Sequence, residues 1–147
     1  MIMNKNINKR TIFYIDGFSL YHGMNEIYGK KYLWLDIDAL ALRLCDSDED
    51  LIQINYFTAI VHSDPPKQTR QIKYISAIKT INRVAIYLGK YNLEYIKCHN
   101  CNQRFTKWRE KMTDVNMSVK ILTDAFDDKF DVMKIITGDK DLKSPIK

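Results

Sequence analysis

The chain alternates short apolar runs with amphipathic segments, and this alternation restricts its fold more than any other feature of the sequence. The apolar runs are rich in aromatic and β-branched residues and end close to Gly, Asp or Pro, which is typical of buried strands. The predicted strands comprise residues 12–15, 51–62, 84–88, 93–96 and 132–137.

The segments between these runs predict helices. Residues 37–44 carry apolar side chains at helical spacing behind Asp36, a residue suited to cap a helix. Pro65 and Pro66 predict the opening of a long helix over about residues 67–82. Ile72, Ile75 and Ile78 are expected on the buried side of that helix, and Val115, Val119, Leu122 and Phe126 share one face of a later helix. Strands alternating with helices imply an α/β domain with a mainly parallel sheet flanked by helices.

Length and composition are those of a single globular domain. A chain of 147 residues can bury a hydrophobic core without disulfides, so we expect one domain over residues 1–147. The longest stretch without charge, residues 51–63, is too short and too polar for a membrane span. Three cysteines, an odd number, favour a reducing cytoplasm over a secreted disulfide framework.

Positive charge is concentrated in the middle of the chain. Between residues 67 and 111, eleven Lys or Arg side chains accompany only Glu94 and Glu110. Such a stretch indicates either a surface that binds an anionic polymer such as a nucleic acid or a solvated, lysine-rich face. Trp108 lies within it, where an indole suits base stacking and equally suits packing under a nearby turn. The candidate RNA-binding residues are Arg104, Lys107, Trp108, Arg109 and Lys111.

Four aspartates lie where predicted elements begin or end. Asp16 and Asp139 follow apolar strands, Asp141 comes two residues later, and Asp114 opens a helix. Functional side chains collect at the carboxyl edge of parallel sheets. Carboxylates held close together repel unless a cation lies among them, and oxygen ligands favour Mg²⁺ or Mn²⁺ over Zn²⁺. Because Asp also suits turns and helix caps, the spacing leaves a metal centre and a structural role both open.

Cys98 and Cys101 form a Cys-x-x-Cys pair, which supplies half of the ligands of a structural zinc site. The remaining ligands could come from Cys45 and His62, or from the same pair in a second copy of the chain. The other interpretation is two ordinary reduced thiols. The sequence alone does not decide between them.

Three motifs resemble those of the NYN family of PIN-like nucleases, in the family's order. Residues 13–21, FYIDGFSLY, resemble its opening strand motif. Residues 110–119, EKMTDVNMSV, resemble its Lys-x-x-Asp-Val helix start, and residues 130–142 resemble its strand ending in Ser/Thr-Gly-Asp-x-Asp. The resemblance implies a Rossmann-like, PIN-type domain that cleaves RNA with a divalent metal. The implied catalytic residues are Asp16, Asp114, Asp139 and Asp141, the first three of them as metal ligands.

The chain departs from the family pattern at two points. Ser19 stands where the family usually has Asn, so a polar contact in the first loop is altered. The family pattern continues beyond the equivalent of Lys147, so we expect a C-terminal helix and strand to be missing from residues 1–147. The expected function is a cytoplasmic, metal-dependent ribonuclease whose partner is RNA; the sequence leaves its oligomeric state open, with a homodimer as one option. The alternative is a non-catalytic RNA-binding or scaffold module with the same fold.

Overall fold

The computed structural model describes residues 8–140 and Leu142. They form a four-stranded sheet flanked by helices, together with a separate two-stranded hairpin. Their elements are β1 (Lys9–Asp16), α1 (Gly17–Tyr28), a 3₁₀ turn (Gly29–Tyr32), α2 (Ile37–Leu44), β2 (Glu49–Thr58), α3 (Pro65–Ile78), β3 (Val84–Leu88), β4 (Lys90–Lys97), β5 (Arg104–Lys111), α4 (Thr113–Phe126) and β6 (Val132–Ile136).

The central sheet has the order β3-β2-β1-β6, and all of its strand pairs are parallel. The predicted α/β fold with a mainly parallel sheet is therefore confirmed. Strand β1 lies in the middle and is buried from Thr11 to Asp16, which explains its continuous apolar sequence. Parallel strands bring their carboxyl ends to one edge, and this edge carries Asp16 and, after β6, Asp139.

Side chains alternate between two cores, one on each face of the sheet. On the first face, Phe13 and Ile15 pack with Ile37 of α2 and Ile78 of α3. On the second face, Ile12 and Tyr14 pack with Phe57 and with Met117 and Ile121 of α4. Each such side chain contributes about 1.5–3 kcal/mol by leaving water, so these cores fix the strand ends relative to one another.

A buried ionic network anchors α4 to the sheet. The Tyr14 hydroxyl donates to Oδ2 of Asp124 over 2.9 Å, and Lys120 and Lys129 reach its Oδ1 over 2.7 and 3.0 Å. Burial by itself would raise the pKa of Asp124, but the hydrogen bonds from the two lysines and Tyr14 hold that pKa below its ordinary value. The network therefore holds a charged carboxylate inside the fold and fixes the rotation of α4.

Two expectations for α3 differ from the structure. Helix α3 ends at Ile78 instead of continuing to residue 82, and Ile72 is exposed instead of buried. On α4, the face with Val115, Val119, Leu122 and Phe126 is exposed, whereas Met117 and Ile121 contact the sheet. The helical spacing of apolar residues identifies an apolar stripe on α4, but this helix carries two such stripes, one exposed and one packed on the sheet. The Asp124 network decides which one faces inward.

The hairpin of β4 and β5 stands apart from the main sheet. Its antiparallel register runs from Lys90 opposite Lys111 to Lys97 opposite Arg104. The strand predicted at residues 93–96 lies within β4, whereas β5 had no counterpart in the sequence analysis. Gly89 starts the hairpin, and a Cβ there would lie 2.5 Å from the Thr113 hydroxyl oxygen, so the chain passes tightly against the start of α4. No helix in the described part of the chain is long and apolar enough to cross a membrane.

Candidate metal centre

Asp16 joins the end of β1 to the start of α1 and caps that helix. Its Oδ1 accepts the backbone N–H groups of Phe18, at 3.0 Å, and Ser19, at 3.2 Å. Asp is preferred at such positions because it satisfies N–H groups that have no partner within the helix. The sequence left open whether Asp16 caps a helix. The structure shows that it caps α1, and the cap holds its carboxylate at the carboxyl edge of the sheet.

The other oxygen of Asp16 is held by two hydroxyl groups. Ser19 donates a hydrogen bond to Oδ2, and the Thr137 hydroxyl donates to the same atom over 3.2 Å. Oγ1 of Thr137 also accepts the backbone N–H of Asp139 over 3.0 Å. Ser19 therefore makes the first-loop polar contact through a hydroxyl. Thr137 links the first motif to the third.

The start of α4 brings two further carboxylates to this edge. Glu110, at the end of β5, accepts hydrogen bonds from the backbone N–H of Thr113, at 3.1 Å, and from its hydroxyl. Met112 turns the chain between them with a φ of 78°. Asp114 lies exposed in the first helical turn, where a negative charge interacts favourably with the helix dipole.

These carboxylates surround one open cleft of about 540 Å³. It brings together the predicted Asp16, Asp114 and Asp139, with Ser19 beside them, whereas Asp141 lies outside the described residues. Its lining is Asp16, Phe18, Ser19, His22, Gly23, Glu26, Glu110, Thr113, Asp114, Gly138 and Asp139. We call this site the acidic cleft.

The sequence analysis missed Glu26, Glu110 and His22 as members of the acidic cleft. His22 and Glu26 follow Ser19 on α1 at helical spacing, so the sequence did place all three on one face of that helix. Glu110 stands three residues before the helix start of the second motif, and its neighbours in the sequence mark it as part of that motif but not as a member of the site. No sequence signal indicates that β5 would carry Glu110 to this edge.

The donor set of the acidic cleft suits a hard divalent ion that keeps part of its water. Among the described residues, no three His, Cys, Asp or Glu side chains stand close enough to hold an ion directly. Mg²⁺ commonly uses one or two carboxylates and retains several waters, which an open cleft of this size allows. Because four donors already engage Asp16, direct ligation by Asp16 requires the Ser19 and Thr137 hydroxyls to rotate away.

Cys98 and Cys101 lie at the turn of the hairpin. The Cys98 N–H donates to the carbonyl of Gln103 over 2.8 Å, and Asn102 turns the chain with a φ of 58°. The backbone N–H groups of Cys101 and Asn100, followed by the Cys101 side chain, lower the pKa of the Cys98 thiol. Within the described part of the chain, no third Cys, His or carboxylate completes a metal-binding group with this pair, so Cys45 and His62 do not join it.

The candidate RNA-binding residues all lie on β5, but they divide between its two faces. Alternation along the strand places Arg104 and Trp108 on one face. Lys107, Arg109 and Lys111 lie on the other. The Trp108 ring lies 5.6 Å from that of His62, and Glu94 forms ion pairs of 2.9 Å with both Arg109 and Lys111. Part of the predicted basic surface is therefore neutralised within the hairpin.

Comparisons with known proteins agree with this architecture. The NYN domain family profile matches residues 10–147. In three dimensions the chain is similar to the crystal structure of a protein of unknown function from Vibrio parahaemolyticus, with a TM-score of 0.60 and 16% identity over 98% of this chain and 75% of that one. At this identity the likeness shows the fold alone. No curated protein matches the chain. The family match spans all three motifs, and the chain belongs to the NYN domain family of PIN-like nucleases.

Proposed function

We propose that this protein is a metal-dependent ribonuclease that cleaves RNA phosphodiester bonds in the acidic cleft. One observation carries the proposal. Asp16, Asp114 and Asp139 come from three separate motifs, on β1, α4 and the segment after β6, and they line the same cleft. Adjacent parallel strands bring Asp16 and Asp139 to one edge in any case, but Asp114, on a helix that begins after the hairpin, need not face the same cleft if it serves only its own helix. The proposed site of action is the cytoplasm, where thiols such as Cys98 stay reduced.

The proposed cofactor is Mg²⁺ or Mn²⁺ bound between Asp16, Asp114 and Asp139 in part through retained water, since no three described side chains stand close enough to ligate one ion directly; Asp141 is proposed as a further acidic group of the centre. Carboxylate and hydroxyl oxygens predominate among the donors that line the cleft, with His22 as the one imidazole, and such oxygen-rich donor sets select hard ions. When bound, an ion of this kind lowers the pKa of a water molecule and stabilises negative charge that develops on a phosphate.

The residues of the chain itself fix the orientation of the carboxylates. Asp16 cannot turn freely, because two backbone N–H groups hold one oxygen and two hydroxyls hold the other. Thr113 orients Glu110 in the same way on the opposite wall of the cleft. Preorganised groups of this kind avoid the cost of reorientation during the reaction. Ser19 and Thr137 can also exchange their hydrogen bonds to Asp16 for bonds to a bound phosphate or water.

The hairpin offers a path for RNA into the acidic cleft. Glu110 belongs to both β5 and the cleft wall, and Arg104 and Trp108 share its face of the strand, so this face of β5 leads toward the carboxylates. Lys107, Arg109 and Lys111 lie on the other face. At about 3.3 Å per residue, the strand from Arg104 to Glu110 spans roughly 20 Å, the length of a few nucleotides. At its base the hairpin contacts the body of the protein through Tyr91, whose ring lies 6.0 Å from that of Phe18.

A specific observation favours the second candidate, a non-catalytic RNA-binding or scaffold module. The four hydrogen bonds to Asp16 satisfy this carboxylate without any ion. In such a protein, Asp16 would serve as a cap and a link between β1 and β6, and RNA would bind without being cut.

Two helix caps provide a matched test. Asp16→Asn and Asp36→Asn both keep a good capping residue, since Asn caps as well as Asp, and both remove one charge. Purified protein is incubated with generic single-stranded RNA in Mg²⁺, Mn²⁺ or EDTA. We expect metal-dependent cleavage by the parent and the Asp36 variant, and none by the Asp16 variant. RNA binding by the parent without cleavage in either metal would establish the second candidate instead.

A further inference from the structure

A second cavity adjoins the acidic cleft, because Phe18 lines both. Its volume is about 280 Å³, close to the lower end of the range of roughly 300–1,000 Å³ that small-molecule pockets occupy. Its wall includes five aromatic side chains, namely Phe18, Tyr21, Trp34, Tyr56 and Tyr74. We call it the aromatic pocket.

The aromatic side chains are held in a fixed arrangement. The rings of Trp34 and Tyr56 lie edge-on to Tyr74, with centroid distances of 6.0 and 6.3 Å. The Tyr74 hydroxyl donates to the carbonyl of Leu35 over 2.8 Å, and Gln71 is tied to Val61 by a hydrogen bond from the Val61 N–H. Trp34 is nevertheless 59% exposed, so its side chain is open to a ligand that enters the pocket.

Positive charge surrounds this aromatic wall. Lys30, Lys67 and Arg70 line the pocket, and its described lining residues include no carboxylate. The Lys67 ammonium lies 5.1 Å from the centre of the Tyr21 ring. By contrast, the basic residues Arg109 and Lys111 of the hairpin share Glu94. The charge of the pocket thus suits an anionic ligand, and its rings suit a flat one.

We propose that the aromatic pocket holds one unstacked base of single-stranded RNA, while Lys30, Lys67 and Arg70 contact the adjoining phosphate. Proteins that recognise single-stranded RNA commonly stack splayed bases on aromatic side chains and neutralise the backbone with nearby cations. This inference rests on the proposed function, because it assigns the nucleotide that positions the substrate for the acidic cleft.

The position of Tyr56 connects the pocket to the carboxylates. Its hydroxyl lies against Gly17, where a Cβ would come within 2.5 Å of it. Gly17 directly follows Asp16, so the ring of Tyr56 packs against the chain segment that carries this carboxylate. A base in the pocket therefore keeps its own backbone beside Asp16. It follows that the substrate must present an unpaired nucleotide, so RNA duplexes should be cut poorly.

Fluorescence of Trp34 tests base binding without any need for catalysis. The chain has two tryptophans, so Trp108→Phe leaves Trp34 as the reporter. This protein is titrated in EDTA with the four nucleoside 5′-monophosphates and with ribose 5-phosphate, which has a phosphate but no base. We expect saturable quenching by at least one nucleotide with a Kd of about 1 mM, and none by ribose 5-phosphate.

Charge variants on α3 provide the control. Lys67→Gln with Arg70→Gln should weaken nucleotide binding about tenfold, equivalent to roughly 1.4 kcal/mol. Lys73→Gln with Lys79→Gln removes equal charge from exposed positions outside the pocket and should leave binding unchanged. Absence of saturable quenching, equal quenching by ribose 5-phosphate, or equal loss in both double variants would overturn the inference. The titration contains no metal, so nucleotide binding can be measured even if the protein does not cleave RNA. Failure of the proposed nuclease activity and failure of the proposed base pocket are therefore distinguishable.

Discussion

Asp16 combines two roles that substitutions separate. Replacing it with Ala removes both the charge and the helix cap, and the loss of a cap costs about 1 kcal/mol by itself. Replacing it with Asn removes the charge and keeps an acceptor for the N–H groups of Phe18 and Ser19. Loss of activity in an Ala variant would therefore not distinguish a metal ligand from a structural cap, whereas the Asn variant keeps the cap and changes only the charge and the oxygen that the Ser19 and Thr137 hydroxyls contact.

Asp139→Asn should stabilise the metal-free protein. Two carboxylates about 4 Å apart repel by roughly 4 kcal/mol at an effective dielectric constant near 20, before relaxation and solvent screening reduce this. If about 1 kcal/mol remains, its removal raises the Tm by a few degrees in a chain of this size. The contact between the Asp139 N–H and Thr137 uses the backbone and survives the substitution. Thermal melts in EDTA and in Mn²⁺ measure both states.

The same melts test whether Asp139 binds metal. Stabilisation by Mn²⁺ should largely disappear in the variant, because an ion that binds only the folded state stabilises according to its affinity. Asp36→Asn, at the cap of α2 and away from the acidic cleft, should keep the full Mn²⁺ effect. A lower Tm in EDTA together with an undiminished Mn²⁺ effect would contradict the assignment of Asp139.

At the level of single residues, the sequence predicts those site members that local context marks. Asp16 and Asp139 stand directly after apolar strands, and Asp114 opens a helix, so each has a signal within a few neighbours. Glu110 has no such signal, because its place depends on the hairpin returning to the start of α4. Gly17 shows the same limit. Its need for a small residue comes from the ring of Tyr56, on another strand.

At the scale of elements, an ion pair fastens the start of β1 to the start of β6. Arg10 donates from its backbone N–H, at 2.7 Å, and from Nε, at 3.0 Å, to Oδ2 of Asp131. The hydrogen bonds from Arg10 lower the pKa of Asp131 from 3.8 to about 2. A lowered carboxylate pKa stabilises the folded state above the unfolded pKa, and this contribution is lost as the pH falls through the folded pKa.

Asp131→Asn should therefore flatten the acid limb of the stability curve. The parent should lose the contribution of Asp131 between about pH 4 and pH 2, and the variant has no such contribution to lose. Urea unfolding from pH 7 to pH 2 measures the difference. Asp127→Asn breaks one ion pair of 3.2 Å with Lys129, in place of the several hydrogen bonds that Arg10 makes to Asp131, and should leave the acid limb almost unchanged. Equal slopes for parent and Asp131 variant would show that the pair between the strands does not carry the effect.

Glu94→Gln should strengthen RNA binding by the hairpin. It releases Arg109 and Lys111 from their ion pairs and so frees two cations for phosphates. Each phosphate neutralised on a single strand contributes about 0.7 to the salt slope, so the slope should steepen by up to about 1.4. Binding titrations at several salt concentrations measure it, with Asp50→Asn as the control of equal charge change. An unchanged slope would place the RNA path away from this face of the hairpin.

The Cys pair makes the hairpin a candidate zinc site shared between two chains. A closed structural site needs four ligands, and each chain supplies Cys98 and Cys101, so we expect one zinc per two chains. Metal analysis on protein purified without a histidine tag measures the ratio. Cys98→Ser should abolish zinc binding, and Cys45→Ser should not. Protein without zinc, in which all thiols titrate, would leave the pair as ordinary reduced cysteines.

The sequence predicts best those elements in which buried positions give a continuous or regularly spaced pattern of apolar residues. Strand β1 is buried on both faces and reads as one apolar run. Strand β5 is exposed almost throughout and consists largely of charged residues, so neither alternation nor an apolar run marks it. The same reasoning explains α4, where the sequence shows a helix but does not reveal which of its two apolar stripes meets the sheet.

For the whole molecule, the exposed stripe of α4 is a candidate surface for pairing two copies. Val115, Val119 and Leu122 are more than half exposed, and Phe126 at the end of the stripe is 92% exposed. The stripe lies opposite Met117 and Ile121, so the described core does not cover it. Contiguous apolar surface of this kind marks interaction sites, and twofold pairing of one helix with its own copy is the simplest closed arrangement.

We expect a homodimer that Val119→Lys with Leu122→Lys converts to a monomer. Both side chains are exposed in the single chain, so the double variant should keep its helical content and fold, while two buried lysines per chain oppose pairing. Sedimentation across a concentration series measures the association. Ile72→Lys, at an exposed position on α3, should leave the dimer intact. Pairing through α4 should also persist in EDTA and in Cys98→Ser, which separates it from a zinc bridge between hairpins. A parent protein that remains monomeric at all concentrations, or a double variant that still pairs, would contradict the α4 interface.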